Sequence, residues 1–206
     1  MRLNTRLLGT TSKLAVLALS LAPITSPALA ASPSFDCSKV EAGSIEEMIC
    51  KDDQLSALDR KMTAVYAAAS EKATNEHPPV LKAEQRGWIK GRNDCWKSDD
   101  KRACVEQSYK LRIAELQAGY RLVPGTDPVF YVCDGQPAKE VVATFFQTEP
   151  PTAIAEFGDQ TSWMVLQPAA SGAKYQGRNE TLWEHHGEAL ITWGYGASEM
   201  RCQTKR

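Results

Sequence analysis

Residues 122–128 read Leu-Val-Pro-Gly-Thr-Asp-Pro and separate two parts of the chain that have different sequence periods. Two prolines and a glycine so close together are typical of a linker, because proline cannot continue a helix and glycine readily adopts turn conformations. Before this stretch, apolar residues recur at helical spacing; after it, charged residues become rarer and aromatic and β-branched residues more frequent. The sequence therefore predicts two domains, residues 31–120 and residues 129–206, joined by a linker at residues 121–128.

The part before the linker predicts a small helical domain. Ser44-Ile45-Glu46-Glu47 has the form of a capping box, with the Ser44 hydroxyl placed to accept from the Glu47 amide at the start of a short helix. Apolar residues spaced by three and four predict three further helices, carrying residues 55–69, 81–92 and 105–116. We expect Asp53 to cap the second helix and Gly119 to end the fourth. Trp88 and Trp96 are expected in the core or half-buried.

The part after the linker predicts an antiparallel β-domain. Turn signals such as Asp134-Gly135 separate seven runs that read as strands. The runs are residues 129–133, 141–147, 152–157, 162–167, 181–185, 189–193 and 200–203. Strands at such regular short spacing are typical of a sandwich or small barrel, and we expect an antiparallel β-barrel of about 7–8 strands. Trp163 and Trp183 alternate with polar neighbours and are expected in its core.

All six cysteines lie after residue 30. An even number of cysteines in an exported chain indicates a disulfide framework, and six cysteines can pair in fifteen ways. The simplest arrangement joins sequence neighbours: Cys37–Cys50, Cys95–Cys104 and Cys133–Cys202. The third pair would link the first and last predicted strands, which fits closure into a barrel. A zinc site is the competing interpretation, but no C-x-x-C pair is present, and we expect no metal and no cofactor.

The first thirty residues have the features of a cleavable signal peptide. Three basic residues precede an apolar run at 14–21, and Pro27-Ala28-Leu29-Ala30 provides an A-x-A cleavage site. The run is shorter than the ~20 residues that a membrane-spanning helix needs. The first cysteine, Cys37, is too far from the cleavage site to carry a lipid. We therefore predict a soluble periplasmic protein without a membrane anchor in its mature form; a permanent anchor is the alternative.

The mature chain is mildly acidic. Without the three basic residues of the signal, the 24 Lys+Arg fall to 21 against 25 Asp+Glu, which is a net charge of −4. The sequence has no evident basic stripe, so we expect no nucleic-acid partner. Residues 121–206 carry 7 basic against 10 acidic residues, which suits a basic protein partner.

Both parts of the chain resemble known families. The residues that carry the first resemblance are Phe35-Asp36-Cys37, Ile49-Cys50, Glu84-Gln85-Arg86-x-Trp88, Arg92-x-x-Cys95 and Cys104-x-x-x-x-Tyr109. With these, residues 35–117 resemble the N-terminal domain shared with LprI-type lysozyme inhibitors. The second set is Tyr131-x-Cys133, Ser171-Gly172-Ala173-Lys174-Tyr175, Leu182-Trp183 and Cys202. With these, residues 129–203 resemble the MliC/PliC inhibitors of c-type lysozyme, whose fold is a small antiparallel β-barrel.

The second resemblance implies a mechanism. In that family a loop enters the lysozyme cleft, where the serine of the SGxxY motif and a lysine after the later tryptophan meet the two catalytic carboxylates. Ser171 matches the serine, and Gly172 would permit a tight turn. His185, or His186 with a small shift, stands where the family has lysine, and a histidine carries no fixed charge because it titrates near pH ~6.5. The predicted lysozyme-contacting residues are Ser171, Gly172, Lys174, Tyr175, His185 and His186.

Two other interpretations remain open. The missing lysine allows a non-inhibitory envelope adaptor, whose helical domain binds another periplasmic partner. A Ser-His-Asp hydrolase could in principle use Ser171, His185 and Asp134, although no G-x-S-x-G elbow is present. We predict that the chain is not an enzyme and that its partner is c-type lysozyme.

Overall fold

The computed structural model describes residues 32–77 and 79–205, so the predicted signal peptide lies outside the described residues. The helices are α1 (Ile45–Lys51), α2 (Asp53–Lys72), α3 (Val80–Asn93) and α4 (Lys101–Gly119), with 3-10 turns at Cys37–Lys39 and Asp94–Lys97. The strands are β1 (Val129–Cys133), β2 (Glu140–Phe146), β3 (Thr152–Phe157), β4 (Gln160–Gln167), β5 (Ala173–Gln176), β6 (Glu180–His185), β7 (Glu188–Trp193) and β8 (Met200–Thr204). The predicted fold class, a helical domain followed by an antiparallel β-barrel, is confirmed.

The helix starts follow from capping side chains. Ser44 caps α1 as predicted, because its hydroxyl accepts from the Glu47 amide at 3.1 Å. The cap of α2 is Asp52 and not the predicted Asp53. Asp52 has the extended backbone that an N-cap requires, and its carboxylate accepts from the Leu55 amide at 3.0 Å. Asp53 is already the first residue of the helix.

The end of α4 also differs from the prediction. Gly119 is the last helical residue, whereas the left-handed residue that ends the helix is Arg121, with φ 48°. The Arg121 amide donates to the Ala118 carbonyl at 3.1 Å, and the Leu122 amide donates to the Gln117 carbonyl at 2.8 Å. This pair of hydrogen bonds is the Schellman arrangement, which here uses an arginine in place of the more common glycine.

A buried polar network holds the helices together. The Arg92 side chain is 5% exposed, lies against the rings of Trp88 and Tyr109, and donates to the Tyr109 hydroxyl at 2.7 Å. It also pairs with Glu46 at 3.0 Å, and the Tyr109 hydroxyl donates to Asp59 at 2.8 Å. A buried charge is costly unless it is paired, so the network strongly favours one helix arrangement. Several residues that carry the LprI resemblance therefore have a structural role.

Three disulfides connect the chain, and each joins sequence neighbours: Cys37–Cys50, Cys95–Cys104 and Cys133–Cys202. The first two lie in the helical domain. The third joins β1 to β8, which pair directly and close the barrel. Strand β5 was not among the predicted strands, because it has only four residues. Closure depends on it, since it pairs with both β4 and β6.

The antiparallel order places successive connections at opposite ends of the barrel. One end, here called the linker end, holds the linker, residues 147–151, residues 168–172 and the turn at residues 186–187. The other end holds residues 134–139, 158–159, 177–179 and 194–199. Loops that are distant in sequence are therefore grouped at the linker end.

Helix α4 belongs to the helical domain and also contacts the barrel. One face carries Val105, Tyr109 and Ile113 into the helical core. On the opposite face, Ala114 and Ala118 are 0% and 1% exposed yet belong to neither hydrophobic core, and α4 contacts β3. This face packs against β3, where the outward-facing Thr152 is buried. The outward-facing Thr144 and Phe146 of β2 are buried beside Gly125 of the linker. The linker contributes as well, with a β-bridge between Gly125 and Phe146.

Candidate functional site

Two connections at the linker end come together because β5 pairs with β6. In this register Ala173 lies opposite Glu184, so residues 168–172, which precede β5, lie beside the turn that follows β6. That turn consists of His186 and Gly187, both with positive φ, which is the type I′ geometry of a two-residue hairpin. We call residues 168–172 the Ser171 loop.

The Ser171 loop is exposed, and its shape depends on a glycine. The Ser171 hydroxyl has no hydrogen-bond partner among the described residues, so it is available to a partner molecule. Gly172 has φ 68°, and a Cβ atom there would collide with the Glu184 carbonyl oxygen and approach the His185 ring to 3.1 Å. Only glycine allows the loop to lie this close to β6.

Trp183 anchors the loop from outside the barrel. Its indole N–H donates to the Ser171 carbonyl at 2.9 Å. The Lys174 ammonium lies 5.5 Å from the centre of the same ring, within cation–π distance. Trp183 therefore holds a serine and a cation close together. The expectation that Trp183 and Trp163 lie in the core is wrong, because both are half-buried on the outer face of the barrel.

His185 and His186 are both exposed, and their rings meet edge to face with centroids 4.2 Å apart. The cross-strand neighbour of His185 is Glu188. The Glu188 carboxylate has no hydrogen-bond or ion-pair partner among the described residues. The turn thus presents two imidazoles next to the Ser171 loop. A partner approaching this end of the barrel would meet the serine and the histidines together.

Tyr175 does not join this surface. Its side chain faces the barrel interior and the residue is 8% exposed, with its ring 5.1 Å from that of Phe145. Burial raises the pKa of Tyr175 and, together with the negative charge of Glu184, raises that of neighbouring Tyr131 to about 12. Tyr175 was expected among the contact residues, and its position is instead that of a core residue that supports β5.

A groove of about 790 Å³ runs along the outer face of the barrel beside the Ser171 loop. Cross-strand pairing places Trp183, Leu190 and Arg201 in one row across β6, β7 and β8. The Arg201 side chain is exposed and has no partner among the described residues. Leu190 and Arg201 are not among the predicted site residues, although the alternation of polar and apolar residues in β7 and β8 places both on the outer face. The groove is also lined by Val132, Asp134, Ser171, His185, Glu188, Gln203 and Lys205.

Ser171, His185 and Asp134 line this groove but do not form a hydrolase-type relay. One Asp134 oxygen accepts from the Arg201 amide at 3.1 Å and the other from the Lys139 ammonium at 3.2 Å, and these bonds hold the pKa of Asp134 below its ordinary value. Asp134 lies towards the end of the barrel opposite the His185 turn. Its carboxylate is therefore directed at β8 and Lys139 and does not orient the imidazole.

The described part of the chain contains neither a metal-binding cluster nor a helix that could span a membrane. Within residues 32–77 and 79–205, no group of three or more His, Cys, Asp or Glu side chains is arranged to hold a metal ion. The helices in these same ranges are all too short or too polar to cross a bilayer.

Comparison with known proteins finds a similarity for each part of the chain. Residues 37–116 match the family described as "Lysozyme inhibitor LprI", and residues 131–200 match the family described as "Membrane-bound lysozyme-inhibitor of c-type lysozyme", or MliC. The proteins named "Lipoprotein LprI" from Mycobacterium bovis and Mycobacterium tuberculosis are 29% identical over 193 residues, which is 91% of this chain and 94% of theirs. These similarities cover both domains in the order found here.

Proposed function

We propose that this chain, which carries an LprI-like domain followed by an MliC-like β-barrel, is a periplasmic inhibitor of c-type lysozyme that blocks the enzyme's active site with the Ser171 loop. The observation that carries the proposal is the exposed Ser171 hydroxyl on a loop shaped by Gly172, within a segment similar to MliC. In protecting peptidoglycan, the protein would act by binding and not by catalysis.

The chemistry of the loop suits a glycosidase cleft. Such a cleft presents two carboxyl groups, of which one is protonated and one ionised. The unpartnered Ser171 hydroxyl can donate to the ionised group or accept from the protonated one. A cation beside the serine would pair with the ionised carboxylate, most strongly where the complex excludes water. Lys174 and His185 are the candidates for that cation, because both lie near the loop.

A second candidate is a non-inhibitory adaptor in the cell envelope, and the residue at position 185 is the observation that favours it. A histidine that is neutral cannot replace the family lysine as an ion-pair partner. In that case the helical domain would bind another periplasmic protein, and the barrel would have lost inhibition.

The test is the lysis of a bacterial cell suspension by c-type lysozyme in the presence of residues 31–206 with all disulfides intact. We expect inhibition at micromolar excess or below. The variant Ser171→Ala should weaken inhibition by about tenfold, because a hydrogen bond to a charged group contributes roughly 1.5 kcal/mol.

The matched control is Ser198→Ala, which removes the hydroxyl of an exposed serine at the opposite end of the barrel. It should inhibit like the unmodified chain. Lysis that proceeds unchanged at micromolar excess would exclude inhibition and leave the adaptor. Equal potency of both variants would place the contact surface away from the Ser171 loop.

A further inference from the structure

Helix α3 displays a row of cations on a protein whose mature chain is acidic. Lys82, Arg86 and Lys90 are spaced by four residues, so they lie along one side of the helix, and all three are exposed. Their side chains have no hydrogen-bond or ion-pair partner among the described residues. This row is not evident as a basic stripe in the sequence, because the cations are separated by uncharged residues and Glu84.

Three acidic residues on or beside α3 are engaged elsewhere, whereas the Glu41 carboxylate lies near Trp96, at the far end of the helix from Lys82. Glu84 pairs with Arg112, and Asp94 pairs with Lys97. The two oxygens of Glu76 accept from the Leu81 amide at 3.0 Å and from the Tyr120 hydroxyl at 2.8 Å, which keeps the pKa of Glu76 low. The positive charge of the row is therefore not neutralised by neighbouring carboxylates.

Exposed apolar side chains occur in the same segment. Among the described residues, five large apolar side chains are exposed, and three of them belong to α3 and the 3-10 turn that continues it: Val80 at 47%, Ile89 at 40% and Trp96 at 60%. Trp96 was expected to be at least half-buried, and that expectation is wrong. Gly87 and Gly91 have no neighbouring atoms where a Cβ would lie, so no other element covers α3 at these positions. We call Lys82, Arg86, Lys90, Ile89 and Trp96 the α3 face.

We propose that the α3 face docks reversibly on a membrane surface rich in anionic phospholipid. Cations along one side of a helix, with aliphatic and aromatic side chains beside them, are the combination that lies in the headgroup region of a bilayer. Lipid phosphates complement the unpaired cations, and an indole favours the boundary between headgroups and acyl chains. An acidic protein partner would explain the cations, but it would not by itself require the exposed apolar side chains.

The experiment is co-sedimentation of residues 31–206 with vesicles of phosphatidylglycerol and phosphatidylcholine, compared with vesicles of phosphatidylcholine alone. We expect binding only to the anionic vesicles, and weaker binding as NaCl is raised. Each cation near an anionic surface contributes about fivefold to partitioning, so the triple variant K82Q, R86Q and K90Q should bind about a hundredfold more weakly. Circular dichroism checks that the variant is folded.

The matched control is the triple variant K61Q, K72Q and R178Q, which removes three exposed cations from α2 and the β5–β6 turn and gives the same net charge. It should bind within about twofold of the unmodified chain, since general electrostatic attraction alone would weaken both variants equally. Equal losses in the two triple variants would overturn the proposal. So would equal binding to neutral vesicles, or a failure to bind phosphatidylglycerol vesicles, which would leave an acidic protein as the partner.

Discussion

At the scale of single residues, the proposed contact depends on His185, which stands at the position of the family lysine. The charged groups near it are Glu188 across the hairpin, Glu184 before it in β6, and Arg201 and Lys205, which line the same groove, while the Ser171 loop that faces it carries no charge. A protonated imidazole could pair with a lysozyme carboxylate, and a neutral one could not.

We therefore predict that His185→Lys strengthens inhibition, because the lysine side chain keeps its positive charge and can pair with a lysozyme carboxylate. The measurement is the inhibition constant at one pH and one ionic strength. His186→Lys is the neighbouring control and should change inhibition less. Equal gains in the two variants would show that His185 does not replace the family lysine.

The sequence could identify Ser171, Gly172 and His185 as site candidates, because each belongs to a motif or lies beside one. It could not assign the sides of the sheet on which Tyr175 and Trp183 lie. Neighbouring strand residues point to opposite faces, so a side chain is placed inside or outside only when the register is known. The register pairs Tyr175 with Leu182 in the core and Lys174 with Trp183 on the outer face.

At the scale of elements, the start of α2 provides a prediction. Asp52→Ala should lower the free energy of unfolding by about 1 kcal/mol, because it removes the N-cap. Asp53→Ala is the matched control and should cost less, since no cap bond is lost. The measurement is urea denaturation, and equal losses in both variants would contradict the assignment of the cap.

The Asp52 cap should also make the free energy of unfolding depend on pH, with lower stability in acid. The hydrogen bond from the Leu55 amide, with further help from Arg102, holds the pKa of Asp52 below its ordinary value. Its contribution is therefore complete above the unfolded pKa of about 4 and is lost as pH falls through the lower, folded-state value. The difference in free energy of unfolding between Asp52→Ala and the unmodified chain, measured by urea denaturation, should therefore become smaller in acid.

Helices and strands with a strong local sequence pattern could be predicted from the sequence. Elements whose conformation depends on contacts with other parts of the fold could not. The α1 capping box and most strands follow from short patterns. Strand β5 has four residues and exists because β4 and β6 pair with it on both sides. The end of α4 could not be predicted either, because the left-handed residue is Arg121, whose guanidinium lies 6.0 Å from the Phe146 ring.

At the scale of the whole molecule, the two faces of α4 predict that the domains are held as one unit. Ala118→Glu should separate them, because it places a charge in a buried contact. The readout is tryptic cleavage at Arg121, which should become at least tenfold faster while each domain keeps its fold. Gln107→Glu adds the same charge to an exposed position of α4 and should have little effect. Cleavage of Ala118→Glu at the unmodified rate would show that α4 does not hold the barrel.

The double role of α4 also bears on how the chain matures. Protein synthesis proceeds from the N-terminus, and domains generally fold as units in that order. The helix that packs against β3 can therefore be in place before β3 is complete. A nascent barrel would then find the outer side of β3 already covered by the helical domain. A barrel made without that helix would expose this side of β3, including Thr152, to solvent.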